Sequence, residues 1–209
     1  MSLTNSNLKL QRIVMEVFGG CNYTCQMCPQ STPGRGKNFT RKMPLTEFER
    51  ILDMIIPKYG TPIINLEGSG EPTMAKDLDK YVAAVKSRNL KCYMYCNGAR
   101  LNGDFMKSVI DAGIDFIRFS IIGYNREVYK KWMNIDNFDL IINNIKEAKK
   151  YGNLKISASS EEVSFKKYPK PEEWKIDAEA SYLHLVMNET IDGACLRNHE
   201  NLPQIDLVA

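Results

Sequence analysis

Strand-like and helix-like segments alternate along the chain between residues 13 and 159. Short apolar runs typical of buried strands are followed by stretches whose apolar residues recur every three or four positions, as in a helix packed on one face. Such alternation joins parallel strands through right-handed crossovers, with the helices outside the sheet. The chain is therefore predicted to be an α/β protein, a partial (β/α)6 parallel barrel with strands at 13–18, 62–66, 91–96, 115–122 and 154–159.

The helices predicted between these strands have recognisable ends. Thr46 and Glu49 have the spacing of a capping box, in which two side chains bond the backbone at a helix start. Gly60 and Gly113 follow the first and third helices, and glycine commonly ends a helix. The predicted helices cover 44–58, 77–89, 105–112 and 137–151.

Length and composition predict one main domain. With 209 residues and 44% hydrophobic content, the chain can bury one core, which we place at 13–159. Residues 1–12 are predicted to be an N-terminal extension, and 160–209 a polar loop, a candidate sixth strand at 182–187 and a short tail. The net charge of +3 does not favour nucleic acid, and no stretch is apolar for long enough to cross a bilayer. Because 1–12 also lacks the layout of a signal peptide, we expect a cytoplasmic protein.

Three of the six cysteines lie together directly after the first predicted strand. Cys21, Cys25 and Cys28 have the spacing C-x-x-x-C-x-x-C. Thiolates are the usual ligands of iron–sulfur clusters, and three thiolates leave one iron of a four-iron cluster open. In catalytic metal sites the open position is where a small molecule binds and reacts. The pattern therefore predicts a cluster that takes part in chemistry.

Two other interpretations of this motif remain open from the spacing. Its cysteines fall at helical positions i, i+4 and i+7, which is typical of one buried helix face, although Gly20 before them and Pro29 after them favour a loop. A zinc site is the second, but it lacks a nearby fourth ligand, because the chain's histidines are His184 and His199. Cys92 and Cys96 are interpreted as buried strand thiols.

Two further loops follow predicted strands. Residues 67–72, Glu-Gly-Ser-Gly-Glu-Pro, come after the second strand, and glycines there let the backbone approach a ligand closely. An ordinary turn into a helix, with Glu71 favouring the helix N-terminus, is the alternative. Asn97 and Gly98 end the third strand, where such a pair usually means only a turn. Since the carboxyl ends of parallel strands share one edge, all these loops are expected near the cysteines.

Together these motifs resemble the radical S-adenosylmethionine (radical SAM) superfamily. The resemblance covers roughly residues 12–160 and is most specific at the cysteines, with the apolar Met27 before the last of them. It implies a barrel of the radical SAM type with two cofactors, a [4Fe–4S] cluster and S-adenosylmethionine. Cys21, Cys25 and Cys28 would hold three irons, while S-adenosylmethionine chelates the fourth and is split to a 5′-deoxyadenosyl radical that abstracts hydrogen from a substrate. Such chemistry belongs to the cofactors, and the protein orients and shields them.

The resemblance also assigns residues to the nucleoside cofactor. The glycine loop is similar to a motif that contacts the methionine ammonium, and the Asn-Gly pair to a segment that ends the third strand near the cofactor. Ser120 would lie beside the carboxylate or ribose of S-adenosylmethionine. The implied cofactor-binding residues are Met27, Ser69, Gly70, Glu71, Asn97 and Ser120. An external electron donor such as flavodoxin or ferredoxin is implied as a partner.

Residues 118–129 resemble a passage of the subgroup that carries a SPASM or twitch extension. This chain has Ile122 where the subgroup usually has aspartate, which puts any contact of that acid in doubt. Cys195 lies where such proteins begin recruiting cysteines for auxiliary clusters, but one cysteine cannot hold a cluster. A truncated or degenerate auxiliary region is therefore expected, and the alternative is that Cys195 is simply a thiol of the tail. The implied substrate is a peptide, sugar or aminocyclitol. The alternatives are a glycyl-radical activating enzyme and a non-catalytic iron–sulfur electron-transfer or scaffold protein.

Overall fold

The fold is that of a computed structural model, which describes residues 10–26, 28–31, 41–122, 125–151 and 155–161, the last range as backbone only. One parallel sheet of five strands runs through these residues in chain order, each strand pairing with the next along the sequence. The α/β prediction is therefore confirmed. The strands are β1 (Arg12–Val14), β2 (Ile63–Leu66), β3 (Cys92–Cys96), β4 (Phe116–Ile122) and β5 (Lys155–Glu161).

Helices connect the strands and pack on one face of the sheet. Short 3-10 turns at Pro29–Ser31 and Pro72–Met74 follow the cysteine motif and the glycine loop. The candidate sixth strand, His184 and Cys195 lie outside the described residues. In the described part of the chain, no helix is long and apolar enough to cross a membrane. The helices are α1 (Leu45–Tyr59), α2 (Leu78–Lys86), α3 (Gly103–Asp111), α4 (Arg126–Met133) and α5 (Phe138–Ala148).

The predicted capping box at the start of α1 is wrong. Pro44 is the N-cap, and its carbonyl accepts hydrogen bonds from the amides of Glu47 and Phe48. Thr46 and Glu49 therefore lie within the helix, because the fixed φ of proline already sets the entry of the chain. Gly60 ends the helix as predicted, with φ +78°.

The two faces of the sheet differ in chemistry. One face packs against the helices and carries Ile64, Leu66, Met94 and Ile117, all fully buried. Cys92 and Cys96 belong to this core and are 0% and 2% exposed, which confirms them as buried strand thiols. Because side chains alternate along a strand, the residues between these lie on the opposite face. We call that face the inner face; it carries Arg12, Asn65, Tyr93, Tyr95, Phe116, Arg118 and Ser120.

Candidate functional site

The cysteine motif lies in a loop at the carboxyl end of β1, which we call the cysteine loop (19–31). Phe18 forms an antiparallel bridge to Lys42, and the Gly19 amide donates to the Arg41 carbonyl at 2.9 Å. The side-chain amide of Gln30 donates back to the Gly19 carbonyl at 3.1 Å. The start of the loop is therefore held to the segment before α1, and the motif adopts no α-helix in the described residues.

The far side of the cysteine loop is held by α4 and by the turn that follows it. The Gln26 amide donates to the Trp132 carbonyl at 2.8 Å, and Asn134 donates its side-chain amide to Thr24 Oγ1 at 3.0 Å. Helix α4 was not predicted, yet its Asn125 caps the first turn by accepting from the Val128 amide at 2.9 Å. An unpredicted helix thus contributes to the position of the thiols.

A buried pair of tyrosines joins the same loop to the helices. The hydroxyls of Tyr23 and Tyr129 lie 3.1 Å apart, and Asn137 donates to Tyr23 Oη at 3.0 Å. Tyr129 is fully buried and Tyr23 is 4% exposed. Satisfied hydrogen bonds in such a dry site fix geometry, because a broken one would leave a buried polar group without a partner. The loop is therefore anchored beside Cys25 as well as at its two ends.

The three thiols of the motif differ in solvent exposure. Cys21 is exposed, whereas Cys25 and Cys28 are half-buried, and Cys25 Sγ lies 3.8 Å from Met133 Sδ. Burial raises the pKa of Cys25 to about 12, and the neighbouring Cys21 and Cys28 thiols add to this shift. Burial also raises the pKa of Cys21. Burial therefore opposes the thiolate form of Cys21 and Cys25, and a bound metal would offset this by coordinating the thiolate.

The donor set fits a cluster better than a single ion. In the described residues, no group of three or more Cys, His, Asp or Glu side chains is arranged to hold one metal ion. In a cluster each cysteine caps a different iron, so the sulfurs do not converge on one point. Cys21, Cys25 and Cys28 belong to one loop, and after burial the neighbouring Cys21 and Cys28 thiols contribute to the raised pKa of Cys25. The chemistry of the site therefore fits a cluster with three thiolate ligands.

Glu71 connects the cysteine loop to the ends of β2 and β3. Its carboxylate accepts from Thr73 N at 3.1 Å, from Thr73 Oγ1 at 2.6 Å and from the Asn97 amide at 2.7 Å. Its own amide donates to the Gly20 carbonyl at 2.8 Å. Glu71 is only 4% exposed, and burial raises the pKa of its carboxyl while these hydrogen bonds oppose the shift.

Asn97 extends this connection to the motif itself. Its side-chain amide donates to Asn22 Oδ1 at 2.8 Å and lies 3.9 Å from Cys21 Sγ. Its Oδ1 accepts from the Ala99 amide at 3.0 Å, which closes the turn after β3. The structure therefore brings Cys21, Glu71 and Asn97 together at the carboxyl edge of the sheet, where the strand order predicted them.

The backbone of the glycine loop packs against Glu16 and Phe18, in the segment that leads into the cysteine loop. A Cβ at Gly70 would lie 1.9 Å from the Phe18 carbonyl oxygen, and one at Gly68 would lie 2.5 Å from Glu16 Oε1. The Gly70 amide donates to the same Glu16 oxygen at 2.8 Å. Glycine is therefore required at these positions by space, since positive φ is not involved at either of them.

The remaining predicted cofactor residues are less enclosed. Ser69 is exposed at the tip of the glycine loop, and Ser120 is half-buried near the end of β4, opposite Ser159 of β5. Met27 lies outside the described residues. Sequence reasoning missed Glu16, Asn22 and Thr73, although Glu16 was visible as the single polar residue in the first apolar run.

Replacing Glu71 with glutamine is expected to destabilise the fold by about 1–3 kcal/mol. Glutamine keeps one acceptor oxygen, but its NH2 group replaces the other and faces either the Thr73 amide or the Asn97 amide, so one of these buried donors loses its partner. Urea unfolding measures the change. Glu47→Gln is the matched control, because the Glu47 side chain is 42% exposed and its ion pair with Arg50 lies at the surface, so the midpoint should change little. Equal midpoints for Glu71→Gln and the wild type would contradict the role of Glu71.

Comparison with known proteins identifies sequences that are similar to this chain. A family profile described as "Radical SAM superfamily" matches residues 15–159. A relative named "Probable GTP 3′,8-cyclase" from Thermococcus kodakarensis is 33% identical over 133 residues, which is 63% of this chain and 41% of that protein. An uncharacterized protein of Methanocaldococcus jannaschii is 31% identical over 137 residues, 66% of this chain and 43% of its own length. The chain thus spans less than half the length of these relatives.

Solved structures share the fold at low sequence identity. SuiB of Streptococcus suis, crystallised with its precursor peptide SuiA, superposes with a TM-score of 0.60 at 16% identity, over 88% of this chain and 38% of SuiB. The methylornithine synthase PylB superposes with a TM-score of 0.57 at 16% identity, over 89% of this chain and 52% of PylB. At this identity the likeness establishes the fold of the chain and leaves its substrate undefined.

Proposed function

The chain belongs to the radical SAM superfamily, whose cofactors are a [4Fe–4S] cluster and S-adenosylmethionine, and from this premise we propose that Cys21, Cys25 and Cys28 hold the cluster in an enzyme that cleaves S-adenosylmethionine reductively. When bound, the two cofactors supply a 5′-deoxyadenosyl radical that abstracts hydrogen from the substrate. The proposed role of the protein is to hold, orient and shield them.

The observation that carries this proposal is the bonding between three strand ends. Glu71 bonds the Asn97 amide with its carboxylate and the Gly20 carbonyl with its own amide, while Asn97 bonds the side chain of Asn22. These contacts fix the cysteine loop relative to the loops after β2 and β3. A cluster and a ligand that chelates its open iron need such a fixed relation, because catalytic groups act only when their geometry is held closely.

Individual roles follow from exposure and bonding. The amide of Asn97 points a donor at the Cys21 sulfur, and hydrogen bonds to ligand sulfurs raise the potential of iron–sulfur clusters. Glu71 is buried, and both of its oxygens already accept bonds. We therefore assign Glu71 an indirect role, in which it shapes the loop whose exposed Ser69 and adjoining Gly70 meet the ammonium of S-adenosylmethionine. Ser120 is assigned to the carboxylate or ribose of the same cofactor.

The substrate we propose is a peptide, sugar or aminocyclitol that is oxidised, epimerised or cross-linked after hydrogen abstraction. The resemblance of residues 118–129 to the SPASM and twitch subgroup supports this range. An electron donor such as flavodoxin or ferredoxin belongs to the same proposal, because the cluster must be reduced before it can split the sulfonium.

Release of 5′-deoxyadenosine tests the enzymatic proposal. Protein reconstituted anaerobically with iron and sulfide is reduced with dithionite and given S-adenosylmethionine, and the nucleoside is measured by chromatography. We expect release that depends on dithionite and on the cluster. An intact cluster spectrum with no nucleoside released would favour a non-catalytic electron carrier instead.

A further inference from the structure

Arg118 lies in the interior of the protein on the inner face of the sheet. It occupies the middle of β4 opposite Tyr95 of β3, and it is 7% exposed. Its guanidinium carbon lies 4.9 Å from the centre of the Tyr95 ring. The neighbouring Arg12 donates to Tyr95 Oη at 3.2 Å, so two cations share this part of the inner face.

The guanidinium of Arg118 is incompletely bonded. Within the described structure, Arg118 Nε and Nη2 are buried without a hydrogen-bond partner. A buried charge is costly unless it is paired, and the cation–π contact with Tyr95 leaves these two donors unsatisfied. Burial accordingly lowers the pKa of Arg118. Such a group is a candidate for recognition of a ligand anion, because the planar fork of arginine matches carboxylate and phosphate oxygens.

The surroundings supply an excess of positive charge and one further open polar atom. Asn65 is fully buried, and its Oδ1 has no partner in the described residues. Its Nδ2 donates to Glu67 Oε1 at 2.7 Å, so one oxygen of this nearby carboxylate accepts a bond from Asn65. Burial raises the pKa of the Glu67 carboxyl, and both Arg12 and Arg118 oppose this shift, so the two cations share this carboxylate among the described residues. The inner face there offers two donors from Arg118 and an acceptor from Asn65.

Arg118 lies away from the loops to which the cofactors are assigned. Arg118 precedes Ser120 by two residues in β4, which corresponds to about 7 Å along the strand, away from the carboxyl edge. The cysteine and glycine loops lie at that edge, as does Asn97 after β3. A ligand that reaches Arg118 therefore lies deeper on the inner face than the carboxyl edge to which the cofactors are assigned.

We propose that Arg118 and Asn65 bind an oxyanion group of the substrate, which is a carboxylate or a phosphate. Arg118 donates to this group through Nε and Nη2. Asn65 accepts a hydrogen bond from a neighbouring donor on the same molecule. The inference rests on the proposed function only in naming the bound molecule a substrate. Anion binding itself needs neither reductant nor turnover, so the two proposals fail independently.

Melting of the cluster-loaded protein tests the anion site. The reconstituted protein, free of S-adenosylmethionine, is heated in phosphate, acetate or chloride at equal ionic strength and pH. At about ten times the dissociation constant, a specific anion should raise the melting temperature of the wild type by about 3–6 °C over chloride. Arg118→Met should lose this extra shift and melt higher than the wild type in chloride, because it removes an unpaired buried cation.

Controls assign the result to Arg118. Arg50→Met, on the exposed side of α1, should respond like the wild type. If Arg118→Met fails to fold, Arg118→Lys replaces it and should lose most of the shift, since lysine lacks the two-pronged fork. A response to phosphate alone or to acetate alone identifies the oxyanion, and a response to both supports the shared chemistry.

Two outcomes would overturn the inference. Equal shifts in the wild type and in the Arg118 variant, or no shift above chloride in either, would show that Arg118 binds no anion. Loss of the wild-type shift on saturation with S-adenosylmethionine would show that Arg118 holds the carboxylate of the cofactor and that no substrate subsite exists there.

Discussion

Replacing Cys25 with alanine is expected to abolish the cluster and, with it, the cleavage of S-adenosylmethionine. Cys25 is the central thiol of the motif and is half-buried against Met133. Under the proposed assignment, alanine would leave one of the three irons held by cysteine without a ligand. Loss of outer-shell partners alone typically costs 10- to 100-fold in metal affinity or activity. Loss of a ligand should therefore reduce 5′-deoxyadenosine release by more than about 100-fold, together with the visible absorbance and the iron content of the reconstituted protein.

The matched control for this change is Cys92→Ala. Cys92 is fully buried in the core on the helix-facing side of β3 and is not among the proposed ligands. Its loss should lower the free energy of unfolding by roughly 1 kcal/mol through a small cavity and leave the iron content unchanged. If Cys25→Ala retained full iron content and absorbance, the assignment of Cys25 as a ligand would be wrong.

Replacing Gly70 with alanine is expected to prevent the cysteine loop and the glycine loop from packing together. The added Cβ would lie 1.9 Å from the Phe18 carbonyl oxygen and 2.8 Å from Gly19 C, and both are backbone atoms with little freedom to move. We expect a loss of about 3 kcal/mol, the upper part of the usual range for overpacking. For a chain of this size that corresponds to a fall in melting temperature of roughly 6–12 °C, accompanied by poor incorporation of iron.

Gly60→Ala separates this steric effect from a general effect of glycine replacement. Gly60 follows α1 with φ +78°, and a Cβ there would meet nothing within 4 Å. Its replacement should cost about 1–3 kcal/mol through backbone strain and leave iron incorporation intact. A Gly70→Ala protein that incorporated iron and melted like the wild type would show that the close approach of the two loops is not needed for the site.

The strands and most helices could be predicted because their apolar periodicity is strong. Each strand was found within a few residues of its observed bounds, although β1 is shorter than predicted. Helix α4 was missed because only Tyr129 and Met133 of its eight residues are buried, so its apolar face is too narrow to stand out. The capping box failed for a different reason, since Pro44 supplies the start of α1 without a side-chain bond.

The contacts between distant residues of the site could not be predicted from the sequence. The edge shared by Cys21, Glu71 and Asn97 followed from the order of parallel strands alone. That Glu71 is bonded on both oxygens depends on the distant Asn97 amide, and no local pattern reports such a contact. In the sequence Arg118 is only a charged residue in an apolar strand. That its Nε and Nη2 lack hydrogen-bond partners among the described residues is known only from the structure.

The central claim is that three thiolates leave one iron open for S-adenosylmethionine, and electron paramagnetic resonance of the reduced cluster tests it most directly. Spectra of the reconstituted wild type are recorded with and without S-adenosylmethionine, alongside the iron content. We expect a cluster with about four irons per chain, and its electron paramagnetic resonance signal should change when S-adenosylmethionine is added. A four-iron cluster whose signal is unaffected by saturating S-adenosylmethionine would contradict the claim.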